Sequence, residues 1–189
     1  MKQVHSFAYT PKDGSSTWNV TFKSDGTYRD YVLLKQVRPQ VQTRRKVPLI
    51  MLNPGAFKDV KGYARDFTMR KVREAFLNSG FIVEVLNLYN IAEPNQKKLI
   101  AMDDTIRNKD NPLFSVLDTY EKGSKVILQH GKMNDRFKER ERDVLDYIDN
   151  RGLVPIGLLN NDGTSYRHPR SWILPEVTVK FRDGVLGRL

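Results

Sequence analysis

The feature that most constrains the fold is a set of four short apolar runs separated by stretches with helical spacing. The runs cover residues 47–52, 81–89, 125–131 and 153–159. Continuous apolar runs of this length are typical of strands buried on both faces, and strands that alternate with helices favour a parallel sheet. The sequence therefore predicts an α/β fold with a mainly parallel central sheet and helices on both faces.

Local signals predict the elements around this sheet. Asp66 is suited to cap a helix over 66–78, a second helix is expected over 111–120, and 133–150 has the pattern of a charged amphipathic helix. Residues 17–22 and 27–37 flank a Ser-Asp-Gly turn and predict a β-hairpin at one edge of the sheet. We expect a single domain that comprises this hairpin with a basic linker (1–46), the core (47–175) and a C-terminal extension (176–189).

The charge balance points to a polyanionic partner. The chain has 32 Lys and Arg residues against 22 Asp and Glu, a net charge of +10. The basic residues cluster in 38–46, 61–73 and 166–170 instead of forming an even coat. Clustered positive charge is the usual footprint of nucleic-acid binding, so DNA or a nucleotide is the expected partner. The alternative is a generally basic surface without a specific ligand.

Composition also excludes several classes of protein. There is no cysteine, so disulfides, thiolate-bound zinc and a cysteine nucleophile are excluded. No apolar stretch approaches the ~20 residues of a membrane span, and the first residues lack the apolar segment of a secretory signal. The three histidines have no metal-binding spacing, and no phosphate-loop or dinucleotide motif is present. We therefore expect a cytoplasmic protein without membrane contact, metal or cofactor.

Polar residues follow the predicted strands at the edge where open α/β sheets bind ligands. They lie in NPGAF (53–57), in NLYNI (87–91), in HGK (130–132) and in the loop 160–171. Turn residues are expected after any strand, so this pattern alone does not establish a site. His168 is the stronger candidate because it stands between Arg167 and Arg170 in a turn-rich loop, although a surface histidine is the alternative. His130, which ends a strand, is interpreted as structural.

The order of these motifs resembles a family of bacterial and phage proteins, DUF1643. The segments that carry the resemblance are IMLNPGAF, RDFTMRKVREAFLNSGF, VEVLNLYNI, VILQHGK and GLLNNDGTSYRHPR, which span about 47–175. The family implies no function that could be transferred.

A more distant similarity does concern chemistry. Asn53-Pro54-Gly55 is similar to the NPG motif of one branch of the uracil-DNA glycosylases, and His168-Pro169 with Ser171 partly matches their second motif. This similarity implies a pocket for an extruded base, in which Asn53 and His168 are catalytic. The implied base-binding residues are Gly55, Ala56, Phe57, Phe67 and Asn87. The basic clusters supply the expected nucleic-acid contacts, mostly on the face of the Asn-Pro-Gly turn, and the similarity assigns phosphates to the arginines around His168. The expected contacts are Arg44, Arg45, Lys46, Arg65, Arg70, Arg167, Arg170 and Ser171.

Two departures from the glycosylase motifs leave the reaction open. Asn53 stands where the water-activating members have aspartate, although Asp66 could substitute, and Arg170 replaces a small serine. The working hypothesis is a protein that acts on DNA or a nucleotide, with base excision as the candidate reaction. The alternatives are a non-catalytic module that recognises modified or damaged DNA and an enzyme that uses the same pocket on a free nucleoside or nucleotide.

Overall fold

A computed structural model describes residues 1–39, 45–55, 57–161, 163 and 165–173. In this part of the chain seven strands form one sheet in the order β1-β2-β3-β5-β4-β6-β7. The strands are β1 (Gln3–Tyr9), β2 (Trp18–Ser24), β3 (Arg29–Gln36), β4 (Lys46–Met51), β5 (Ile82–Asn87), β6 (Lys125–Leu128) and β7 (Val154–Ile156). The helices are α1 (Val60–Arg65), α2 (Phe67–Ala75), α3 (Gln96–Ala101), α4 (Asp104–Arg107), α5 (Leu113–Leu117) and α6 (Lys138–Asn150).

The four predicted core strands are parallel, but the sheet as a whole is mixed. Strand β4 pairs in parallel with β5 and β6, and β6 pairs in parallel with β7. The predicted hairpin is β2–β3, which joins the sheet through an antiparallel pairing of β3 with β5. Strand β1 adds another antiparallel pairing at the edge. The description "mainly parallel" is therefore wrong, because half of the neighbouring strand pairs are antiparallel.

Alternation along the buried strands produces a hydrophobic core on each face of the sheet. In β4, Val47, Leu49 and Met51 face one side, whereas Ile50 faces the other. The first side packs against α1 and α2, and the second against α3, α5 and α6. Helices thus cover both faces, as the sequence predicts. Within the described residues, every helix is too short or too polar to cross a bilayer.

Helix α2 begins where the sequence predicts. The Asp66 carboxylate accepts a hydrogen bond from the backbone N–H of Met69 at 2.9 Å, which satisfies one of the free donors of the first turn. The helix ends at Ala75, slightly earlier than expected, and the chain reverses through Asn78 and Gly80, which both have positive φ. This cap fixes the position of Asp66 at the sheet edge that carries the candidate site.

Candidate functional site

A cleft of about 380 Å³ lies at the carboxyl ends of the parallel strands. Strand β4 connects through α1 and α2 on one face, whereas β6 connects through α6 on the other, so the switch point of the sheet lies between β4 and β6. The cleft is lined by Met51, Asn53, Pro54, Gly55, Asp66, Thr68, Met69, Pro94, His168, Arg170 and Ser171. The structure therefore brings the Asn-Pro-Gly turn and the His168 loop together.

Asn53 is held by its amide group. Its Nδ2 donates to the backbone oxygen of Glu93 at 2.7 Å and, at 3.4 Å, to that of Pro54. The side chain is half-buried, and none of the described residues donates to its Oδ1. Asn53 thus presents one hydrogen-bond acceptor from a fixed position at the end of β4.

Gly55 is required where the turn passes the cap of α2. A Cβ atom added to this residue would lie 2.7 Å from Oδ2 of Asp66. Asp66 uses Oδ1 to cap the helix, and Oδ2 receives no hydrogen bond from the described residues. The cap residue is therefore also a carboxylate of the cleft wall.

His168 is fixed by its own backbone turn. It caps a 3₁₀ turn (Pro169–Ser171), in which Nδ1 accepts a hydrogen bond from the N–H of Arg170 at 3.2 Å. A nitrogen that accepts this bond carries no proton, so Nε2 carries the proton of the neutral ring. Gly131, with φ +82°, lies so close that an added Cβ would come within 3.0 Å of the His168 Cβ. The segment that follows β6 therefore positions this histidine.

The environment of His168 keeps its ring neutral. Burial, together with the neighbouring charge of Arg170, lowers the pKa of His168 from 6.5 to about 4, although Asp66 acts in the opposite direction. At neutral pH the side chain is therefore an uncharged hydrogen-bond donor.

An NMR titration should show this directly. We expect the ring resonances of His168, assigned by their loss in His168→Asn, to titrate near pH 4, not near 6.5. Because the pKa in the folded state lies below that of the unfolded chain, the unfolded chain binds more protons between these values. The contribution of His168 to the free energy of unfolding is then complete above pH 6.5 and decreases as the pH falls toward 4. A midpoint above pH 6 would contradict the neutral-donor assignment.

The loop after His168 is anchored to both sides of the cleft. Nε of Arg170 donates to the Thr68 hydroxyl at 3.2 Å, which connects the loop to α2. Buried Trp172 donates from Nε1 to Oε1 of Gln129 at 2.8 Å, just after β6. The arginine is otherwise exposed at the cleft, where it is placed to meet an anionic group of a ligand.

Phe57 is a correction to the predicted site. Its ring is 7% exposed and packs edge-on against Phe22 and Tyr63 in the core. The guanidinium of buried Arg29 lies 3.6 Å from the ring centroid, and Arg29 also donates to the backbone oxygen of Phe57. Burial lowers the pKa of Arg29 to about 10, while the charge of Asp66 opposes this shift. The Phe57 ring therefore attaches the turn to the core and is not accessible to a base.

Other predicted residues lie outside the cleft lining. Phe67 is 41% exposed on the surface of α2, and Asn87 is buried at the end of β5, where its Oδ1 has no partner among the described residues. His130 is also buried, as its structural interpretation predicts: Nδ1 donates to the oxygen of Gly131, and Nε2 lies 2.9 Å from Glu141. None of these three residues lines the cleft.

The predicted basic face is only partly assembled. Arg170 and Ser171 line the cleft; Ser171 and Arg167 also line a neighbouring hollow, and Arg65 and Arg70 lie along a separate groove. Arg45 and Lys46 are a correction, because they lie at the start of β4, the opposite end of the strand from Asn53. Arg44, Ala56 and the extension 176–189 lie outside the described residues.

The sequence did not indicate Thr68 and Pro94 as parts of the cleft wall, or Arg29 as the buried support of Phe57. Thr68 is near the start of a predicted helix, where its hydroxyl carries no distinctive signal. Arg29 and Asp30 are adjacent charged residues at the start of the largely apolar strand β3. Charged residues at such a position are the sequence feature that could have indicated a buried charge.

These features define an α/β protein with a cleft at the carboxyl ends of its parallel strands. The chain belongs to the family described as "Protein of unknown function (DUF1643)", whose model matches residues 31–170. The matched region includes every residue of the cleft wall except Ser171. No curated protein and no solved structure gives a significant match.

Proposed function

We propose that this protein acts on nucleic acid or a nucleotide and that its cleft hydrolyses the N-glycosidic bond of a bound base. The observation that carries the proposal is the pairing, in one cleft, of a neutral histidine with a carboxylate. His168 supplies the donor and Asp66 the proton acceptor. The cleft volume of about 380 Å³ is in the usual range for small-ligand sites, ~300–1,000 Å³.

The roles of the residues follow from the bonds that change. Hydrolysis forms a bond from a water oxygen to the sugar C1′ and breaks the bond from C1′ to the base nitrogen. The electron pair of the broken bond leaves with the base. A hydrogen bond from Nε2 of His168 to a base oxygen stabilises that charge, as in an oxyanion site. Oδ2 of Asp66 accepts the proton of the attacking water, while Oδ1 of Asn53 orients that water.

Substrate contacts complete the proposal. Arg170 holds a phosphate next to the cleft, where it carries positive charge without taking part in the bond changes. The distant similarity to uracil-DNA glycosylases supports the same arrangement, because the Asn-Pro-Gly turn and the His-Pro loop are the two motifs that it shares. In this proposal Asp66 activates water, the role that an aspartate of the first motif has in the catalytic glycosylases.

A panel of oligonucleotides tests this function. Single- and double-stranded DNA that contains uracil, mismatches or modified bases is incubated with the protein and scored for abasic sites by alkaline cleavage. We expect one class of base to be released, and binding that weakens with salt in proportion to the phosphates contacted. Free nucleosides in parallel reactions detect an enzyme that uses the pocket without a nucleic-acid strand. If neither abasic sites nor free base appear, hydrolysis is excluded, and salt-dependent binding alone would identify a recognition module.

A further inference from the structure

A second and larger concavity, the α2 groove, lies beside the cleft. Its volume is about 870 Å³, and its walls are the loop after β1, the end of α1 and the length of α2. Five basic side chains line it, against two acidic ones. The basic residues are Lys12, Lys61, Arg65, Arg70 and Arg73.

The two acidic residues of the groove are already engaged. Asp13 accepts a hydrogen bond from the N–H of Ser15. Oε1 of Glu74 lies 3.9 Å from Nε of Arg70, which precedes it by one helical turn. Five cationic side chains against two carboxylates leave the groove a net positive charge, with Lys12 and Arg65 exposed at its rim. Concentrated positive charge in a concave surface attracts phosphate groups more strongly than the same charge spread over a convex one.

Buried Arg73 forms the floor of this groove. It is 4% exposed, and its guanidinium carbon lies 4.5 Å from the ring centroid of Tyr9 and 4.8 Å from that of Tyr63. Its Nη1 is buried without a hydrogen-bond acceptor among the described residues. The Tyr63 hydroxyl interacts with this guanidinium, but Nη1 keeps no acceptor among the described residues. Because a buried charge is costly unless it is paired, the free Nη1 is suited to bind an anion.

Helix α2 connects this groove to the cleft. Asp66, Thr68 and Met69 at its start line the cleft, whereas Arg70 and Arg73 line the groove. From Asp66 to Arg73 the axial distance is about 10 Å, at a rise of about 1.5 Å per residue. Between them Phe67 is 41% exposed, with the Arg70 guanidinium 4.5 Å from its ring centroid. An exposed aromatic ring next to a basic groove is the arrangement that single-stranded nucleic acid uses for stacking and backbone contact.

We propose that the α2 groove binds the phosphate backbone of a single nucleic-acid strand whose base enters the cleft. The inference rests on the proposed function for the identity of the ligand, and it assigns the groove a role in substrate holding. Arg73 contacts a phosphate from the floor, Arg65 and Arg70 contact phosphates from the rim, and Phe67 stacks on a base adjacent to the one in the cleft.

Fluorescence anisotropy with a labelled oligothymidylate about twelve nucleotides long measures the affinity of the groove for a single strand. The test variant is the double substitution Arg65→Gln and Arg70→Gln, which changes two exposed side chains. The matched control is Lys138→Gln with Arg142→Gln, which removes the same charge from the exposed surface of α6, on the other face of the sheet. The groove variant is expected to bind at least tenfold more weakly. Its slope of log K against log salt should fall by about 1.4, since each phosphate that is no longer neutralised on a single strand removes ~0.7. The control is expected to remain within threefold of wild type.

Arg73→Met provides a second variant, because methionine fills part of the space between the two rings. Weaker oligonucleotide binding at unchanged thermal stability would support the role of the floor. Equal affinities for the groove variant and the α6 control would overturn the inference, even if base excision is observed. Weaker binding in the groove variant alone, without excision of any base, would support the groove while the hydrolytic proposal fails. Failure of the wild type to bind the oligonucleotide at 50 mM salt, or a preference for anionic vesicles, would also overturn it.

Discussion

Substituting Asp66 by asparagine is expected to slow release of the base in single-turnover experiments by about 10²–10⁴-fold, the usual contribution of a general base. The change separates the two roles of this residue. Asparagine is as good a helix cap as aspartate, so the bond to the N–H of Met69 is retained. The carboxylate that would accept the proton of water is removed. The free energy of unfolding should fall by no more than ~1 kcal/mol, the value of one acidic group at a helix start.

Asp59→Asn is the matched control for this experiment. Asp59 caps α1 in the same way, through a 2.7 Å hydrogen bond from the N–H of Gly62, but it does not line the cleft. Its substitution should leave the rate of base release unchanged. If Asp66→Asn reacts within twofold of the wild-type rate at similar stability, Asp66 is a cap alone and another group must activate water.

The strand order shows which parts of the fold the sequence could predict. Strands β4, β5 and β6 are hydrogen-bonded on both sides or buried on both faces, so their apolar runs are continuous and easy to identify. Strand β1 is different, because its residues are half-buried or exposed along an edge. An edge strand of this kind has little apolar signal, and its omission led to an overestimate of the parallel share of the sheet.

The cleft could be predicted only at the level of chain segments. Parallel strands bring their carboxyl ends together, so the proximity of Asn53 and His168 follows from topology. Side-chain direction does not follow from topology, and the misassignment of Phe57 shows this. Its ring turns inward because the guanidinium of Arg29 and the rings of Phe22 and Tyr63 form a site for it in the core. Those partners lie on the distant β2–β3 hairpin and on the next helix, beyond any local pattern.

The basic clusters of the sequence also predicted only some of the residues that share a surface. Arg45 and Lys46 are close in sequence to the Asn-Pro-Gly turn, but a six-residue strand separates them by its whole length. Arg65 and Arg70 lie on two different helices and converge on one groove. A cluster in the sequence thus predicts a shared surface only when the intervening backbone brings its members to the same side of the molecule.

Substituting His168 by alanine is expected to slow single-turnover base release by about 10²–10³-fold, the effect of losing one donor at a developing negative charge. DNA affinity should barely change, since phosphate contacts dominate binding. The alanine variant also loses the acceptor for the N–H of Arg170, so His168→Asn is needed beside it. Asparagine can restore that acceptor, and a rate loss common to both variants therefore belongs to the imidazole N–H.

Arg170→Ala should show the reverse behaviour. Removal of a phosphate-binding side chain weakens binding and reduces the salt slope by about one unit, while the rate at saturating DNA changes little. Asn53→Ala should resemble the histidine variants, because it removes the acceptor that orients water without removing a charge.

If His168→Ala lowers the rate of base release no more than twofold, the ring does not stabilise the departing base. The neutral state of His168 would then serve only the packing of its loop against Gly131, and the cleft would bind a base without cleaving its bond to the sugar.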